Sequence, residues 1–427
     1  MEINIIHQLF LGCKTITTDT RKITENALFI ALKGDNFDGN SFAAKALDLG
    51  ACYVIIDNPD FYINDKTILV ADSLKTLQSL AKFHRKFLNI PIIALTGSNG
   101  KTTTKELIQV VLNKKYRSVA TFGNLNNHIG VPLTLLSFDK NTEIGIVEMG
   151  ANHQKEIAFL CEIAKPDYGY ITNFGKAHLE GFGGFEGVIA GKSELYQYLD
   201  RNQKTVFVNL DDAIQVEKSH GIKQLGFGIV NEDADLVVLK TEADPLVKIL
   251  YQKMQIQSQL IGLYNANNIN AAVCIGQYFG VSDIDIKDAI ETFVPKNNRS
   301  QLLIQNSNNI ILDAYNANPS SMKAALEHFI QLQNQNKIVV LGDMFELGSD
   351  SDAEHYAIVS GLRKHHDVIC YFVGPAFFSH RYDSDLCHFY KSFDDFATFL
   401  VQNSIIDSCI LIKGSRGMAL ERVLDFL

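Results

Sequence analysis

One stretch constrains this chain more than any other: PIIALTGSNGKTTTKE, from Pro91 to Glu106. An apolar run, IIALT, reads as a buried strand, and Leu107, Ile108, Val111 and Leu112 recur beyond it at helical spacing. Between strand and helix lie Gly97, Ser98, Asn99, Gly100, Lys101, Thr102 and Thr103. Glycines there let the backbone wrap an oxyanion, with successive N–H groups pointing inward. The helix N-terminus adds the positive end of its dipole. Lys101 brings a mobile full charge, and Thr102 a hydroxyl able to ligate Mg²⁺. The strict GxxxxGK[ST] pattern is not met, because Leu95 occupies its first glycine position. The plain alternative is a glycine-rich turn carrying a surface lysine. The apolar strand before and the amphipathic helix after favour nucleotide binding.

The rest of the chain bounds this reading. Its 427 residues predict two or three domains, and a net charge of -9 removes the basic footprint of a nucleic-acid binder. Any anion is therefore held by local geometry. Seven cysteines lie scattered with no CxxC pair, as expected of reduced, buried thiols in a cytoplasmic protein. The start, MEINIIHQLFLG, has no basic leader and no long apolar core, and no stretch is apolar enough to insert in a membrane.

Three parts emerge, residues 1–90, 91–295 and 296–427. In the first, ALFIAL and ACYVIID read as strands, and SFAAKALDLG as a helix capped by Asn40 or Ser41 and stopped at Gly50. The helix SLKTLQSLAKFHRKF leads to Pro91. In the second, EIGIVEMG and DYGYITNFG alternate with helices, which predicts a mostly parallel, doubly covered sheet. DLVVLKTEADPLVKILYQKMQIQSQL reads as an antiparallel extension at its edge. The third repeats strand, polar turn and helix, a Rossmann-like doubly wound pattern. The fold class is thus α/β with three domains: a central P-loop-type parallel-sheet ATPase domain, a preceding domain and a Rossmann-like C-terminal one.

Candidate site residues fall at predicted strand ends. Glu148 closes the apolar run IGIVEM, where a carboxylate is costly unless it is paired or ligates a cation; the alternative is a solvent-facing strand end. His178, in TNFGKAHLEGFGG, shares that predicted rim, so a metal role competes with a structural one. Lys192 reads by itself as a solvated helix lysine. Asn265 and Asn268 suit either a purine edge or helix capping. Arg299, at the join of the second and third parts, either clamps a phosphate or ties two domains. Asp313 suits a ribose hydroxyl, and Lys413, Ser415 and Arg416 an anionic substrate. In the first part, TTDTRK and LKGDNFDGNSF gather Arg21, Lys33 and small polar groups, either as ordinary loops or as a second anion site.

Together TGSNGKTTTKE, FGNLNNHIGVPLT, VEMGANHQKEI, TNFGKAHLEGFG, YNANN, DAYNANPSSM, GDMFELG and KGSRGM resemble the Mur ligases, the ATP-dependent amide-forming enzymes of peptidoglycan synthesis. The match spans nearly the whole chain, in order. It is most similar to the branch that adds D-alanyl-D-alanine to a UDP-N-acetylmuramoyl-tripeptide through an acyl phosphate. Asn298 stands where several relatives carry glycine, and Tyr264 where others carry histidine. The resemblance implies a UDP-sugar domain, a central ATPase and a mobile C-terminal module. It implies ATP on Lys101, Mg²⁺ among Thr102, Glu148 and His178, and a carbamylated Lys192 helping to ligate a second Mg²⁺. It places the nucleotide by Asn268, Arg299 and Asp313. The muramyl peptide is expected at Asp19, Thr20, Arg21, Lys33 and the GNLNN loop with Asn124, Asn126 and Asn127. A monomer is expected. Rival expectations are a ligase adding a single amino acid, or glutamate to folate, and a nucleotide-binding regulator or simple ATPase.

Overall fold

Every residue of Ile92–Thr96 is buried, as a short apolar run must be when it lies inside a sheet covered on both faces. The computed structural model describes residues 1–333 and 336–427, and this strand lies within its largest sheet. From one edge, the nine strands are Ser118–Ala120, Ile144–Glu148, Ile92–Thr96, Tyr168–Ile171, Thr205–Asn209, Lys223–Ile229, Leu236–Ala243, Leu246–Tyr251 and Met254–Ile261. Neighbours are parallel as far as Leu236–Ala243. The last two pairings are antiparallel, the edge extension that the alternating sequence predicts. Strand order reverses around Ile92–Thr96: the chain next builds one side of the sheet, then crosses to the other. In open α/β sheets the ligand crevice lies outside the carboxyl ends at such a switch.

The helix Lys101–Leu112 buries Leu107, Ile108, Val111 and Leu112 and packs on Ala266–Tyr278. Gly276 permits the close approach, since a Cβ there would lie 2.5 Å from Val111 Cγ1.

A four-stranded parallel sheet precedes this one: Thr15–Thr17, Ala27–Ile30, Ala51–Ile56 and Thr67–Leu69. The crossover from Ala27–Ile30 to Ala51–Ile56 differs from the sequence expectation. The α-helix is Ala43–Asp48, entered through a 3-10 turn at Gly39–Phe42 that Asp38, not Asn40 or Ser41, caps. Asp38 accepts from the Asn40 N–H, and the Asn40 amide is spent between Asp38 and Asp57. Gly50 ends the element with φ +99°, as expected.

The third sheet has the order Gln301–Gln305, Asn308–Asp313, Cys409–Lys413, Lys337–Gly342, Val368–Val373 and Cys387–Tyr390. All pairings but the first are parallel. The last strand in sequence inserts between earlier ones, the doubly wound pattern.

The helix Ser73–Leu88 links the first two sheets, ending at Asn89 in the left-handed region just before Pro91. Buried Arg85 on this helix donates to the Ala164 and Lys165 carbonyls and to Asp167. His84 bonds the Phe138 carbonyl at 2.8 Å, and its other nitrogen meets His7 Nε2 at 3.0 Å. Two neutral imidazoles thereby relay from the first helix, Ile3–Leu11, to the central domain.

Burial and the neighbouring His84 lower the His7 pKa from 6.5 to about 4. Because the folded value is depressed, the unfolded chain binds the proton first. Stability from this group is complete above pH 6.5 and is lost as pH falls toward 4. Denaturant titrations between pH 7 and 4 should show a loss of about 2 kcal/mol that His7→Gln diminishes. Equal pH dependence in the two proteins would contradict this.

Candidate active site

The phosphate-type loop is pinned from one side. Gly97 has φ +144°, and a Cβ there would lie 2.0 Å from Thr172 Oγ1. The Ser98 N–H donates to the Asn173 carbonyl, and the Ser98 hydroxyl exchanges hydrogen bonds with the backbone of Gly175. The Asn99 N–H donates to Asn173 Oδ1, and Thr172 Oγ1 to the Asn99 carbonyl. Gly100, at φ +78°, starts the helix with no side-chain cap. The N–H groups of that first turn have no intrahelical acceptor, so they are available to an anion.

Lys101 lies at the same turn. Its amine donates to the carbonyls of Gly97 (2.7 Å) and Ser98 (3.2 Å) of its own loop. Burial lowers its pKa, Glu148 opposes that, and Arg299 adds to it. Glu148 ends its strand 2 % exposed, so the solvent-facing alternative is excluded. Thr102 Oγ1 donates to one of its carboxylate oxygens at 3.0 Å and Asn126 Nδ2 to the other at 2.8 Å. Lys105, which the sequence reading missed, donates to the Thr121 carbonyl and stands 4.0 Å from Glu148. Its signal was helical spacing, four residues past Lys101 and facing the same strand end.

These groups open on one cleft of about 980 Å³. Ser98 to Thr103, Asn124, Asn126, Asn127, Glu148, His178, Asn268, Arg299 and Asp313 all line it. Asn127 is occupied in accepting the Ile129 and Gly130 N–H groups at the start of a helix. Asn268 accepts from Thr104 Oγ1 and donates to Asn265, bracing the loop from behind. Arg299 lines the cleft and stacks its guanidinium 3.5 Å from the Tyr315 ring centroid, a contact within the third domain. Its turn needs left-handed backbone at Asn297, Asn298 and Ser300, a conformation that asparagine tolerates. Asp313 pairs with Lys413 and accepts the Ser300 N–H.

Asp19, Thr20, Arg21 and Lys33 lie apart, on the first domain, and none lines the cleft. Asp19 and Arg21 pair with each other at 2.8 Å, which holds the Asp19 carboxyl down at about 2. Lys33 pairs with Asp57 at 2.9 Å. Lys192 departs from the bland expectation. It is 1 % exposed, has among the described residues no carboxylate in salt-bridge range, and donates to the Ala151 carbonyl at 3.1 Å. Burial first, and Lys101 second, push its pKa well down. His178 bonds Glu346 of the third domain through Nδ1.

Among the described residues no three His, Cys, Asp or Glu side chains gather as a metal cage. The contact between Thr102 and Glu148 nevertheless fits Mg²⁺, which takes a hydroxyl and one carboxylate and completes its shell with water and substrate phosphates.

Known proteins carry the same architecture. Three family models match in order: Mur ligase family, catalytic domain, over residues 13–85; Mur ligase middle domain over 95–276; and Mur ligase, glutamate ligase domain, over 298–416. The UDP-N-acetylmuramoyl-tripeptide–D-alanyl-D-alanine ligase of Bacillus subtilis is 36% identical, covering 96% of this chain and 92% of its own. The chain belongs to the Mur ligase family. The Escherichia coli ligase of the same name is 30% identical over 96% of this chain and 93% of its own. Crystal structure I of MurF from Acinetobacter baumannii superposes with a TM-score of 0.86, at 30% identity, covering 99% of this chain and 97% of that one. The Thermotoga maritima MurF ligase in complex with ADP gives 0.83 at 27% identity, covering 98% and 97%.

Within this Mur ligase, Gly100 is the most constrained loop position. A Cβ there would lie 2.6 Å from Asn268 Oδ1, at a φ that disfavours side chains. Gly100→Ala should cost about 1–2 kcal/mol of stability, read by chemical denaturation. It should also weaken binding of a nonhydrolysable ATP analogue, read by calorimetry. Unchanged affinity would contradict the loop's assignment.

Proposed function

We infer that this chain is an ATP-dependent ligase that joins D-alanyl-D-alanine to UDP-N-acetylmuramoyl-tripeptide. Its products are UDP-N-acetylmuramoyl-pentapeptide, ADP and phosphate, a step of peptidoglycan synthesis. The observation that carries this reading is likeness along the whole chain to ligases of that name, with a phosphate-type loop at the switch point of the central sheet.

The chemistry follows from the cleft. The terminal carboxylate of the tripeptide attacks the γ-phosphorus of ATP, ADP leaves, and an acyl phosphate results. Phosphoryl transfer needs positioning and charge neutralisation more than covalent help. The backbone N–H groups from Gly100 to Thr103, which have no partner among the described residues, cradle the phosphates. Lys101 turns from its own loop carbonyls to the transferring group. Thr102 and Glu148 hold Mg²⁺, which supplies charge neutralisation to the phosphates. The amine of D-alanyl-D-alanine then attacks the acyl carbon, loses a proton, and phosphate departs with the former carboxylate oxygen. Closure of the third domain on the cleft keeps water from the acyl phosphate.

Several finer assignments belong to this proposal. Residues 1–90 bind the UDP-sugar end, with Asp19, Thr20, Arg21 and Lys33 on that domain. Residues 91–295 bind ATP, and 296–427 form the mobile module. Asn124 and Asn126 face the muramyl peptide. Lys192 is carbamylated: burial favours its neutral amine, the form that adds carbon dioxide, and the product is an anion suited to a second Mg²⁺. The enzyme works as a cytoplasmic monomer.

The test is a substrate panel. ADP release should require both UDP-muramyl-tripeptide and D-alanyl-D-alanine, with single amino acids inert. Release without the dipeptide, or with an amino acid in its place, rejects the reading. Lys101→Met should lower kcat by about 10²-fold or more, measured as ADP release, with the fold retained by circular dichroism. Full activity would remove Lys101 from the mechanism.

A further inference from the structure

One of the third-domain loops that line the cleft, the one carrying Phe345 and Glu346, is held rigidly. The Phe345 N–H donates to Ser415 Oγ at 2.9 Å, and the Met344 N–H to His355 Nε2 at 3.0 Å. Glu346 follows with φ +61°, in the left-handed region that non-glycine residues rarely enter. Gly348 comes so close to the central domain that a Cβ there would lie 3.2 Å from Glu180 Cβ.

The residue facing Glu346 is conformationally unusual as well. His178 has φ +54°, and its Nδ1 bonds the Glu346 carboxylate. Two residues later, the Glu180 N–H donates to the Glu346 carbonyl at 3.3 Å. Two left-handed residues from different domains therefore meet side chain to side chain. Backbone strain of this kind persists where the surroundings over-determine it, and it clusters at functional sites. Further contacts hold the same seam: Lys176 with Glu354 at 2.6 Å, the Lys176 N–H on Ser320 Oγ, and the Asn318 amide on Asn99 Oδ1 of the phosphate-type loop.

We propose that Glu346 is a positioning residue: presented by the third domain, it fixes the orientation and tautomer of His178, so that the metal-binding imidazole is completed only when the domains are closed. A ring whose Nδ1–H donates to a carboxylate keeps its lone pair on Nε2, the form that ligates a metal, and such partners raise ligand basicity. Domain closure and assembly of the metal site are then one event. The proposal rests on the ligase reading and adds to it that His178, which lines the same cleft as Thr102 and Glu148, offers Nε2 to the Mg²⁺ they would hold.

Three readouts on the full chain test it. Long-range ¹H–¹⁵N spectra of ¹⁵N-histidine protein, with His178 assigned by difference from His178→Asn, report its tautomer directly. Wild type should show the Nδ1–H form, Glu346→Ala a mixture, and Glu346→Gln, which keeps an acceptor oxygen, the wild-type pattern. Mn²⁺ affinity with a nonhydrolysable ATP analogue, read by electron paramagnetic resonance, should fall about 10–100-fold in Glu346→Ala. kcat should fall by a similar factor, with KM for D-alanyl-D-alanine nearly unchanged. An unchanged tautomer overturns the proposal, and so does a changed tautomer with Mn²⁺ affinity intact. A raised KM for the dipeptide alone would also overturn it, making Glu346 a ligand of the substrate ammonium. Failure of the ligase reading itself would appear separately, as wild type lacking dipeptide-dependent ADP release.

Discussion

A carboxylate buried at a strand tip is the constraint on which the site is built. Taking Glu148 out of water costs several kcal/mol unless its oxygens are satisfied. Thr102 and Asn126 take one oxygen each, and Lys105 stands 4.0 Å away. These partners come from two places in the chain: the helix after the glycine turn and the asparagine loop both converge on the strand that carries Glu148. The arrangement is solvated by neutral donors and one offset cation. A divalent ion with its phosphates can enter without dismantling the fold.

Around that point, each domain contributes what the others lack. The central sheet supplies the backbone N–H groups and the acidic strand tip, both at its switch point. The third domain brings Arg299 stacked on Tyr315, the Asp313–Lys413 pair and Glu346 to the opposite wall. The first domain is fastened through buried Arg85 and the His7–His84 relay rather than through the cleft. Its Asp19, Arg21 and Lys33 lie on a separate surface, held in the Asp19–Arg21 and Lys33–Asp57 pairs. One cleft fed from separate faces suits a reaction that brings together two substrates and ATP and must exclude water between its steps.

Much of the architecture was legible because it depends on local rules. IIALT, IGIVE and YGYI read as strands because fully buried parallel strands are apolar throughout, and the antiparallel edge was visible as alternation. Asp38 was missed as a cap because two better-placed polar residues followed it, and only the tertiary partner Asp57 shows why Asn40 is unavailable. Lys192 read as solvated because nothing in AGKSELYQYL reveals that its helix face is covered by Phe182. Glu346 sits in the GDMFELG run, where nothing local marks it for a role. Its meaning lies in a contact 168 residues away in sequence, which no spacing argument reaches. Contacts within one strand–turn–helix unit can be read from the chain; those across domain seams cannot.

The most direct test of the central claim is a crystal structure with a nonhydrolysable ATP analogue and Mg²⁺. The account predicts the triphosphate on the N–H groups from Gly100 to Thr103, the ion bound by Thr102 and Glu148, and the Lys101 amine swung from its loop carbonyls to the phosphates. Nucleotide bound elsewhere, or Glu148 still held only by Thr102 and Asn126 with the ion remote, would contradict it.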